Sequence, residues 1–506
     1  VTGKVWLVGA GPGDPGLITV RGLEVLRQAE VVLHDALSHP ALLDACPNAE
    51  LRNVGKRYGQ PSPPQEWITR QLVELAQAGK RVVRLKGGDP FLFARGAEEA
   101  LALAEVGIPF EIVPGISSPV AASAYAGLAL THRGLSSSVT FITGTDRDAH
   151  AWSADAWHRL ATATDTLCIL MGMRRIEEIT TALIEGGRPA STPAAVVQWA
   201  ARTQQRVEVG TLGDIADRAR SRGLTSPALI FVGEIVTLRD SLRWYDARPL
   251  FGKRVLVLRA EHQARETANA IRARGADALT FPVIEIQPPP DGEPVARAIR
   301  ELSTYDWVVF TSTNGVDRFF AALDAHGLDA RAFAAARIAA IGPRTATQLE
   351  KRGLKPDAVA PEYVGESLAA MLVERGAKRV LVPRALVARD ALPRALAEAG
   401  VFVEVAPVYE TVPASAERRA ELRSLLEDKQ VDVVAFTSGS TVESLCQLLG
   451  TDAPTLLAHA CVASIGPITS RSARERGIRV DVEATTYTID GLLEALEGRF
   501  SGAPPA

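Results

Sequence analysis

The 506-residue chain has only four cysteines, Cys46, Cys168, Cys446 and Cys461, with no C-x-x-C pair and no Cys/His cluster. That scatter argues against a disulfide framework and a zinc site and fits a reducing compartment. No apolar run approaches the roughly 18 residues of a membrane span, and no signal sequence opens the chain, so a cytoplasmic protein without a membrane partner is expected. Net charge is nearly absent as well: 59 acidic against 56 basic residues leave −3, which advertises no nucleic-acid partner. Lysine is scarce, supplying 9 of the 56 basic residues. Arginine is the better bidentate carboxylate ligand, so the bias fits a polyanionic substrate; the Ala-rich composition suggests a GC-rich genome as the blander explanation. Against these absences stands an ordinary globular composition, 47% hydrophobic and 23% charged. The length leads us to expect three to four domains.

The second half of the chain is written twice. Lys253-Arg254-Val255-Leu256-Val257 recurs as Lys378-Arg379-Val380-Leu381-Val382, an offset of 125. Asp306-Trp307-Val308-Val309-Phe310-Thr311-Ser312 returns as Asp432-Val433-Val434-Ala435-Phe436-Thr437-Ser438 at 126, and Ala340-Ile341-Gly342-Pro343 as Ser464-Ile465-Gly466-Pro467 at 124. A near-constant offset over three segments is a duplication. Repeats this long are lobes rather than solenoid units, and two lobes make a cleft.

Strand and helix signals alternate throughout, which predicts an α/β fold with largely parallel sheets. Short apolar runs at Val5 to Val8, Glu30 to Asp35, Arg81 to Leu85, Ser138 to Ile142, Thr166 to Leu170, Ala195 to Val197 and Ala228 to Val232 read as strands. The stretch Arg243 to Gly252, with Pro249 and Gly252, reads as a linker into the duplicated half. The run Pro288-Pro289-Pro290-Asp291-Gly292 cannot lie inside a sheet, because proline lacks the N–H donor, and is expected where the chain crosses between lobes.

Gly11-Pro12-Gly13-Asp14-Pro15-Gly16 satisfies G-x-G-x-x-G between a strand and a helix, with Glu30 and Asp35 near the place of a ribose-binding acid. A nicotinamide-dependent Rossmann oxidoreductase is the obvious reading, and the residues argue against it. Pro12 and Pro15 remove two N–H groups that would cradle a pyrophosphate, and Asp14 adds negative charge there. A donor-poor, acidic loop suits a phosphate-free and preferably cationic ligand. Lys86-Gly87-Gly88-Asp89-Pro90 follows another strand, at the carboxyl end where open α/β sheets bind ligands. Val113-Pro114-Gly115-Ile116-Ser117-Ser118 is a third such turn.

These loops, with Thr131-His132-Arg133, Val54-Gly55-Lys56-Arg57 and Leu170-Met171-Gly172, resemble the tetrapyrrole methyltransferase family. The closest likeness, over residues 1–245, is to uroporphyrinogen-III C-methyltransferases. The resemblance implies two α/β lobes, about 1–134 and 135–245, with S-adenosylmethionine folded between them and S-adenosylhomocysteine as product. It assigns cofactor contacts to Pro12, Gly87, Gly88, Asp89, Leu92, Ser117, Ser118, Met171, Ala200 and Ala228. Asp35 would be the proton acceptor and Lys56 the proton donor or substrate-orienting group, and a homodimer would form through this half. Chemically the roles are reasonable: methylating a pyrrole carbon creates a cation that a carboxylate can stabilise or deprotonate, and transfer from a sulfonium needs mainly alignment. Blander readings stand beside them: a helix cap for Asp35, a solvated lysine for Lys56 and a gap-filling core methionine for Met171. The chain departs from the family at Ala94, where glycine is usual, at Thr145, where histidine often stands, and at Ala200-Ala201, where Gly-Thr is common.

In the duplicated half, Thr311 and Ser312 match Thr437 and Ser438, and Gly342 with Thr345 matches Gly466 with Thr469. All lie at expected strand ends, where hydroxyls and N–H groups can receive carboxylates; helix N-caps explain many of the same positions. No nucleophilic triad, metal set or paired catalytic carboxylates is apparent. Phe310 to Val316, Ile341-Gly342-Pro343, Pro407-Val408-Tyr409-Glu410-Thr411 and the second copies resemble uroporphyrinogen-III synthase over about residues 250–498. The fold expected is a two-lobed, internally duplicated Rossmann-like synthase on 253–498, after a linker at 246–252 and before a tail at 499–506. One lobe would be 287–411 and the other discontinuous, 252–286 plus 412–498, joined by a β ladder. The reaction implied is cyclisation of hydroxymethylbilane with inversion of its last ring, Tyr409 assisting loss of the hydroxyl; Tyr409 is otherwise a packing tyrosine. The eight strand-end positions become candidate substrate contacts. The fusion would make uroporphyrinogen III and methylate it at C2 and C7 to precorrin-2, for sirohaem and cobalamin. The alternative is a methyltransferase fused to a two-lobed tetrapyrrole-binding or regulatory module.

Overall fold

Runs of Val, Leu and Ile separated by helical stretches form four sheets in the computed structural model, which describes residues 3–55, 63–144, 152–258, 261–282, 284–362, 364–388 and 390–501. The chain divides into two units: Val1–Arg254 with Ala270–Asp277 and Glu497–Ala506, and Val255–Asn269 with Ala278–Leu496.

In the first unit, β1 (Lys4–Gly9), β2 (Val31–His34), β3 (Glu50–Asn53), β4 (Arg81–Lys86) and β5 (Phe110–Val113) form a sheet ordered β3-β2-β4-β1-β5. Every pairing is parallel. Its strands are apolar on both faces because helices cover both. On one face Val5, Leu33 and Val82 pack with Ile68 and Leu72 of α2 (Gln65–Gln77) and Leu103 of α3 (Gly96–Glu105). On the other, Val8, Val32 and Val83 meet Val25 and Leu26 of α1 (Val20–Arg27). Burying one such side chain contributes about 1.5–3 kcal/mol. Thr19 caps α1 by accepting from Gly22 N–H at 3.0 Å. The helix α4 (Ser118–Ala126) ends at Gly127, whose φ of +69° suits glycine.

The second sheet of this unit is ordered β6-β7-β10-β8-β9, from β6 (Val139–Thr143), β7 (Thr166–Leu170), β8 (Pro193–Gln198), β9 (Arg206–Thr211) and β10 (Ala228–Val232). Only β6 and β7 run parallel; β10 is antiparallel to β7 and β8, and β8 to β9. The expectation of largely parallel sheets fails here. The connection 199–205 between β8 and β9 is too short for the crossover of a dozen or so residues that a parallel pair needs. The predicted linker is also tied down: Tyr245 and Phe251 pack with Ala121 and Tyr125 of α4, and Trp244 Nε1 donates to Ala124 O at 2.8 Å.

The second unit contains β11 (Arg254–Val257), β12 (Asp277–Thr280), β13 (Ile284–Gln287), β14 (Trp307–Phe310), β15 (Arg337–Ala340), β16 (Ala358–Val359), β17 (Arg379–Ala385), β18 (Phe402–Pro413), β19 (Val433–Phe436), β20 (Cys461–Ser464) and β21 (Val482–Glu483). They make two sheets, β12-β11-β19-β20-β21 and β13-β18-β17-β14-β15-β16. By the sequence repeat, β11 and β12 correspond to β17 and β18, and β14, β15 and β16 to β19, β20 and β21. Each sheet therefore takes two of these strands from one copy and three from the other, with β13 added at the edge of the six-stranded sheet. The twelve-residue β18 runs parallel to β17 and then pairs antiparallel with β13, Gln287 opposite Glu410 and Ile284 opposite Pro413. The chain leaves the discontinuous sheet through β13 and returns through the end of β18. The Pro288 to Pro290 run follows β13 directly.

Candidate active sites

In the first unit, the carboxyl ends of β1, β2, β4 and β5 lie on one edge of a parallel sheet. Gly11 and Gly88 exchange N–H···O bonds of 3.3 and 2.9 Å, and Ala10 N–H donates to Lys86 O at 2.8 Å. A Cβ on Gly115 would stand 2.3 Å from Gly88 O and 2.6 Å from Gly9 Cα, so only glycine permits these loops to touch. Pro12, Gly87, Gly88, Asp89, Ser117 and Ser118 thus converge, with Leu92 half-buried just beyond Asp89. Gly88 is left-handed, φ +72°, and a Cβ there would find nothing nearer than Ser118 N at 3.7 Å. Adjacent β1 and β4 feed connections toward opposite edges of the sheet, the arrangement that opens a ligand crevice.

Two acids are more occupied than the sequence implied. Asp14 accepts from Gly16 N–H at 2.7 Å and from the Tyr125 hydroxyl at 2.7 Å. Its charge is engaged within the fold, so the argument against phosphate rests on the prolines. Burial first, then Asp14, pushes the Tyr125 hydroxyl well above the usual tyrosine range. Asp89 accepts from Phe91 N–H at 2.8 Å and Gly115 N–H at 3.0 Å, tying the second loop to the third.

The second sheet brings Met171, Ala200 and Ala228 to a common edge. Leu170 at the end of β7 pairs with Leu229, and Gln198 at the end of β8 pairs with Ala228. The 199–202 turn packs on the first glycine loop: a Cβ on Gly13 would meet Arg202 Cγ at 2.7 Å and Ala200 O at 2.9 Å. Arg202 also donates to Leu37 O. Met171 is 55% exposed and left-handed at φ +54°, so it is not a gap-filling core methionine. Trp199, Ala201, Phe93 and Arg95 share positive φ, between 51° and 60°. Such strain in non-glycine residues clusters at functional sites. Ala94, between Phe93 and Arg95, does not need a glycine conformation. Lys56 and Thr145 lie outside the described residues.

Asp35 follows β2 on the first sheet's edge. Arg84 Nη2 donates to its Oδ1 at 2.5 Å and Gly87 N–H to its Oδ2 at 3.1 Å, while 28% of the side chain stays exposed. Arg84 and Lys86 sit two apart on one face of β4, and beneath them lies the fully buried Glu99 of α3. Lys86 donates to both Glu99 oxygens, at 2.9 and 3.0 Å. Burial, then the Arg84 charge, draws the Lys86 ammonium below its ordinary range, against the opposing pull of Glu99 and Asp35. Sequence reasoning missed Arg84, Lys86 and Glu99. The available signal was two cations at alternate positions of a strand that is otherwise apolar.

In the second unit, the Ser312 and Tyr409 hydroxyls come within 3.3 Å, although they are far apart in the chain. Tyr409 is 7% exposed, its ring within the β14–β18 core. Ser312 also caps the helix Thr313–Ala325, accepting from Gly315 N–H at 3.0 Å, and Ser438 caps Gly439–Leu449 through Thr441 N–H at 3.3 Å. Thr311 and Thr437 are half-buried beside them. Gly342 and Gly466 cap the helices Pro343–Lys351 and Pro467–Arg474 without a side chain. Thr345 and Thr469, one turn in, are each 4% exposed. Among the described residues no group of His, Cys, Asp and Glu is placed to hold a metal, and no helix is long and apolar enough to cross a membrane.

The strand-end loops, donor-poor in the first unit and hydroxyl-bearing in the second, lie where α/β enzymes bind their ligands. Residues 4–216 match the family model of tetrapyrrole (corrin/porphyrin) methylases, and residues 265–494 that of uroporphyrinogen-III synthase HemD. A porphyrin biosynthesis protein HemD of Ruminiclostridium josui is 36% identical over 497 residues, 98% of this chain and 97% of the relative. A uroporphyrinogen-III C-methyltransferase of Bacillus subtilis is 38% identical over 361 residues, 71% of this chain and 74% of the relative. A crystal structure of uroporphyrin-III-C-methyltransferase from Thermus thermophilus shares 43% identity, covering 48% of this chain and 97% of that one, with a TM-score of 0.40. The chain belongs to the tetrapyrrole methylase family through its first half and to the uroporphyrinogen-III synthase family through its second.

Proposed function

We propose that the chain is a bifunctional enzyme of tetrapyrrole biosynthesis. Its second half cyclises hydroxymethylbilane, with inversion of the last ring, to uroporphyrinogen III. Its first half methylates that product at C2 and C7 with S-adenosylmethionine, giving precorrin-2. The observation that carries this reading is the presence of both families in one chain, along nearly the whole length of a HemD relative. The product of one half is then the substrate of the other, and fusion raises its effective concentration. The rival readings, a nicotinamide oxidoreductase or a purely regulatory second half, have no such support.

S-adenosylmethionine supplies a methyl group on a sulfonium and leaves as S-adenosylhomocysteine. The crevice suits it: Gly87 and Gly88 leave room for close approach, and Pro12, Pro15 and Pro90 withhold the N–H groups a phosphate would demand. Pro12, Gly87, Gly88, Asp89, Leu92, Ser117, Ser118, Met171, Ala200 and Ala228 would hold it, Met171 through its strained backbone. Asp35, anchored on both oxygens, would stabilise the methylated pyrrole cation and accept its proton, with Lys56 orienting the substrate or returning a proton. In the second half Tyr409, hydrogen-bonded to Ser312, would assist departure of the substrate's hydroxyl. Thr311, Ser312, Gly342, Thr345, Thr437, Ser438, Gly466 and Thr469 would steer its carboxylates, so catalysis would come from restraint of the flexible bilane.

The proposed setting is the cytoplasm, as a homodimer through the methyltransferase half, feeding sirohaem and cobalamin synthesis. The full chain supplied with hydroxymethylbilane alone should favour the III over the I isomer, and adding S-adenosylmethionine should yield the dimethylated product. Without isomer preference the synthase assignment fails; without methylation of supplied uroporphyrinogen III the methyltransferase assignment fails.

A further inference from the structure

A line of four charges runs from the interior of the first sheet to its edge. Glu99, 0% exposed, accepts from Lys86 Nζ on both oxygens, from Arg84 Nε at 3.3 Å and from Gln65 Nε2 at 2.9 Å. Arg84 spends Nη1 on Leu33 O at 3.3 Å and Leu85 O at 3.2 Å, and Nη2 on Asp35. Lys86 and the Arg84 side chain are 2% and 4% exposed. Two cations and two anions balance, and only Asp35 reaches solvent.

Stability does not explain this arrangement. Buried ion pairs are weak stabilisers, and well-packed apolar residues of similar volume often do as well or better. The same face of β4 already carries Val82, packed in the apolar core. What the charges provide that leucines could not is direction. The Arg84 fork is gripped at Nε and Nη1, leaving Nη2 one place to point, at Asp35 Oδ1.

The geometry points to Glu99, together with Lys86, as a positioning residue for methyl transfer: it fixes the Arg84 guanidinium that orients the Asp35 carboxylate. The inference rests on the reading of Asp35 as proton acceptor. Gln65 and the two backbone carbonyls complete the grip, and Lys86 keeps Glu99 from being an uncompensated buried anion.

The test uses the full chain and a pair of substitutions that preserves neutrality, Lys86→Met with Glu99→Gln, alone and combined with Asp35→Asn. The double variant should lower the methylation kcat roughly tenfold to a hundredfold, as misplacement of a reacting group does. KM for S-adenosylmethionine should stay within about twofold of the parent value, since binding at the glycine loops is not rerouted. An unchanged denaturant-unfolding midpoint of the methyltransferase half, with the retained KM for S-adenosylmethionine, serves as the control for folding. In the Asp35→Asn background the pair should cause no further loss, because it acts through the group already removed. Arg84→Lys, which keeps the charge but cannot span Asp35 and Glu99 together, should reproduce the loss and carries the test if the pair does not fold. An undiminished kcat in the folded variants, or a full additional loss on top of Asp35→Asn, overturns the positioning role. Asp35→Asn at the parent rate overturns the proton-acceptor reading, and the positioning role with it.

Discussion

The two halves of the chain are both α/β and both bury hydroxyls, but among the described residues only the first also buries charge. Every fully charged side chain buried among the described residues, Arg84, Lys86, Glu99, Arg188 and Arg239, lies in the first unit. Among the described residues, the buried polar side chains of the second unit are hydroxyls alone, at Thr267, Thr345, Ser464, Thr469 and Ser470. Backbone strain follows the same division. Among the described non-glycine residues, Phe93, Arg95, Met171, Trp199 and Ala201 hold positive φ in the first unit, and Lys429 alone does so in the second. The contrast matches the chemistry proposed for each. Methyl transfer needs a few groups held in fixed alignment, and strained loops and buried charge supply fixed direction. Closing a flexible chain of four pyrroles needs containment, which neutral donors at helix starts provide without an oriented charge.

The largest effect that would break this contrast is on rate. Asp35→Asn should cut methylation about 10²- to 10⁴-fold, the usual worth of a positioned acid or base. Cyclisation by the same preparation should be untouched, and parallel assays of both products check this. Next comes stability. Gly115→Ala forces a Cβ to 2.3 Å from Gly88 O, and should destabilise the first unit by about 3 kcal/mol or more in denaturant unfolding. Gly466→Ala is its counterpart in the second unit. There the Cβ would meet the exposed Tyr487 ring at 2.8 Å, a side chain free to turn aside, and the cost should stay under about 1 kcal/mol.

Tyr409→Phe should slow isomer-III formation only about tenfold, roughly the worth of one hydrogen bond. A loss as large as that of Asp35→Asn would mean that the second half also depends on a single aimed group. The finest comparison sets the repeat copies against each other. Ser312→Ala and Ser438→Ala remove equivalent helix caps and should each cost about 1 kcal/mol of stability. Ser312→Ala should slow cyclisation more than Ser438→Ala, because Ser312 also meets Tyr409. Equal kinetic losses would mean that the Tyr409 contact adds nothing to what each serine does at the substrate.

Much of this architecture was legible in the residues. The α/β class followed from alternating apolar runs, and the glycine loops stood after strands because Gly and Pro punctuate the chain strongly. The antiparallel half of the second sheet was hidden: Ala195 to Val197 and Ala228 to Val232 look the same whichever way their neighbours run, and only the short 199–205 connection betrays it. Strain at Phe93 and Met171 left no trace, because bulky residues carry no sequence mark of positive φ. Arg84 and Lys86 imitate the outward face of an ordinary strand; their burial depends on Glu99, which arrives from another element. Tyr409 and Ser312 were both candidates in the sequence, but that their hydroxyls meet required the fold.

The crossed ancestry of the second unit also sets an order of assembly. The sheet built on β14 to β18 draws on one continuous stretch, residues 284 to 413, and all its strands are available once that stretch has emerged. The other sheet opens with β11, whose partner β19 lies beyond that whole stretch: Val255 waits for Val433. On a growing chain, β11 and β12 are therefore made early and remain unpaired along one edge until the last part of the protein appears. Loop closure over such a distance is slow, and exposed strand edges invite mispairing in the interval. The half of the molecule with the quieter active site thus carries the more exacting birth.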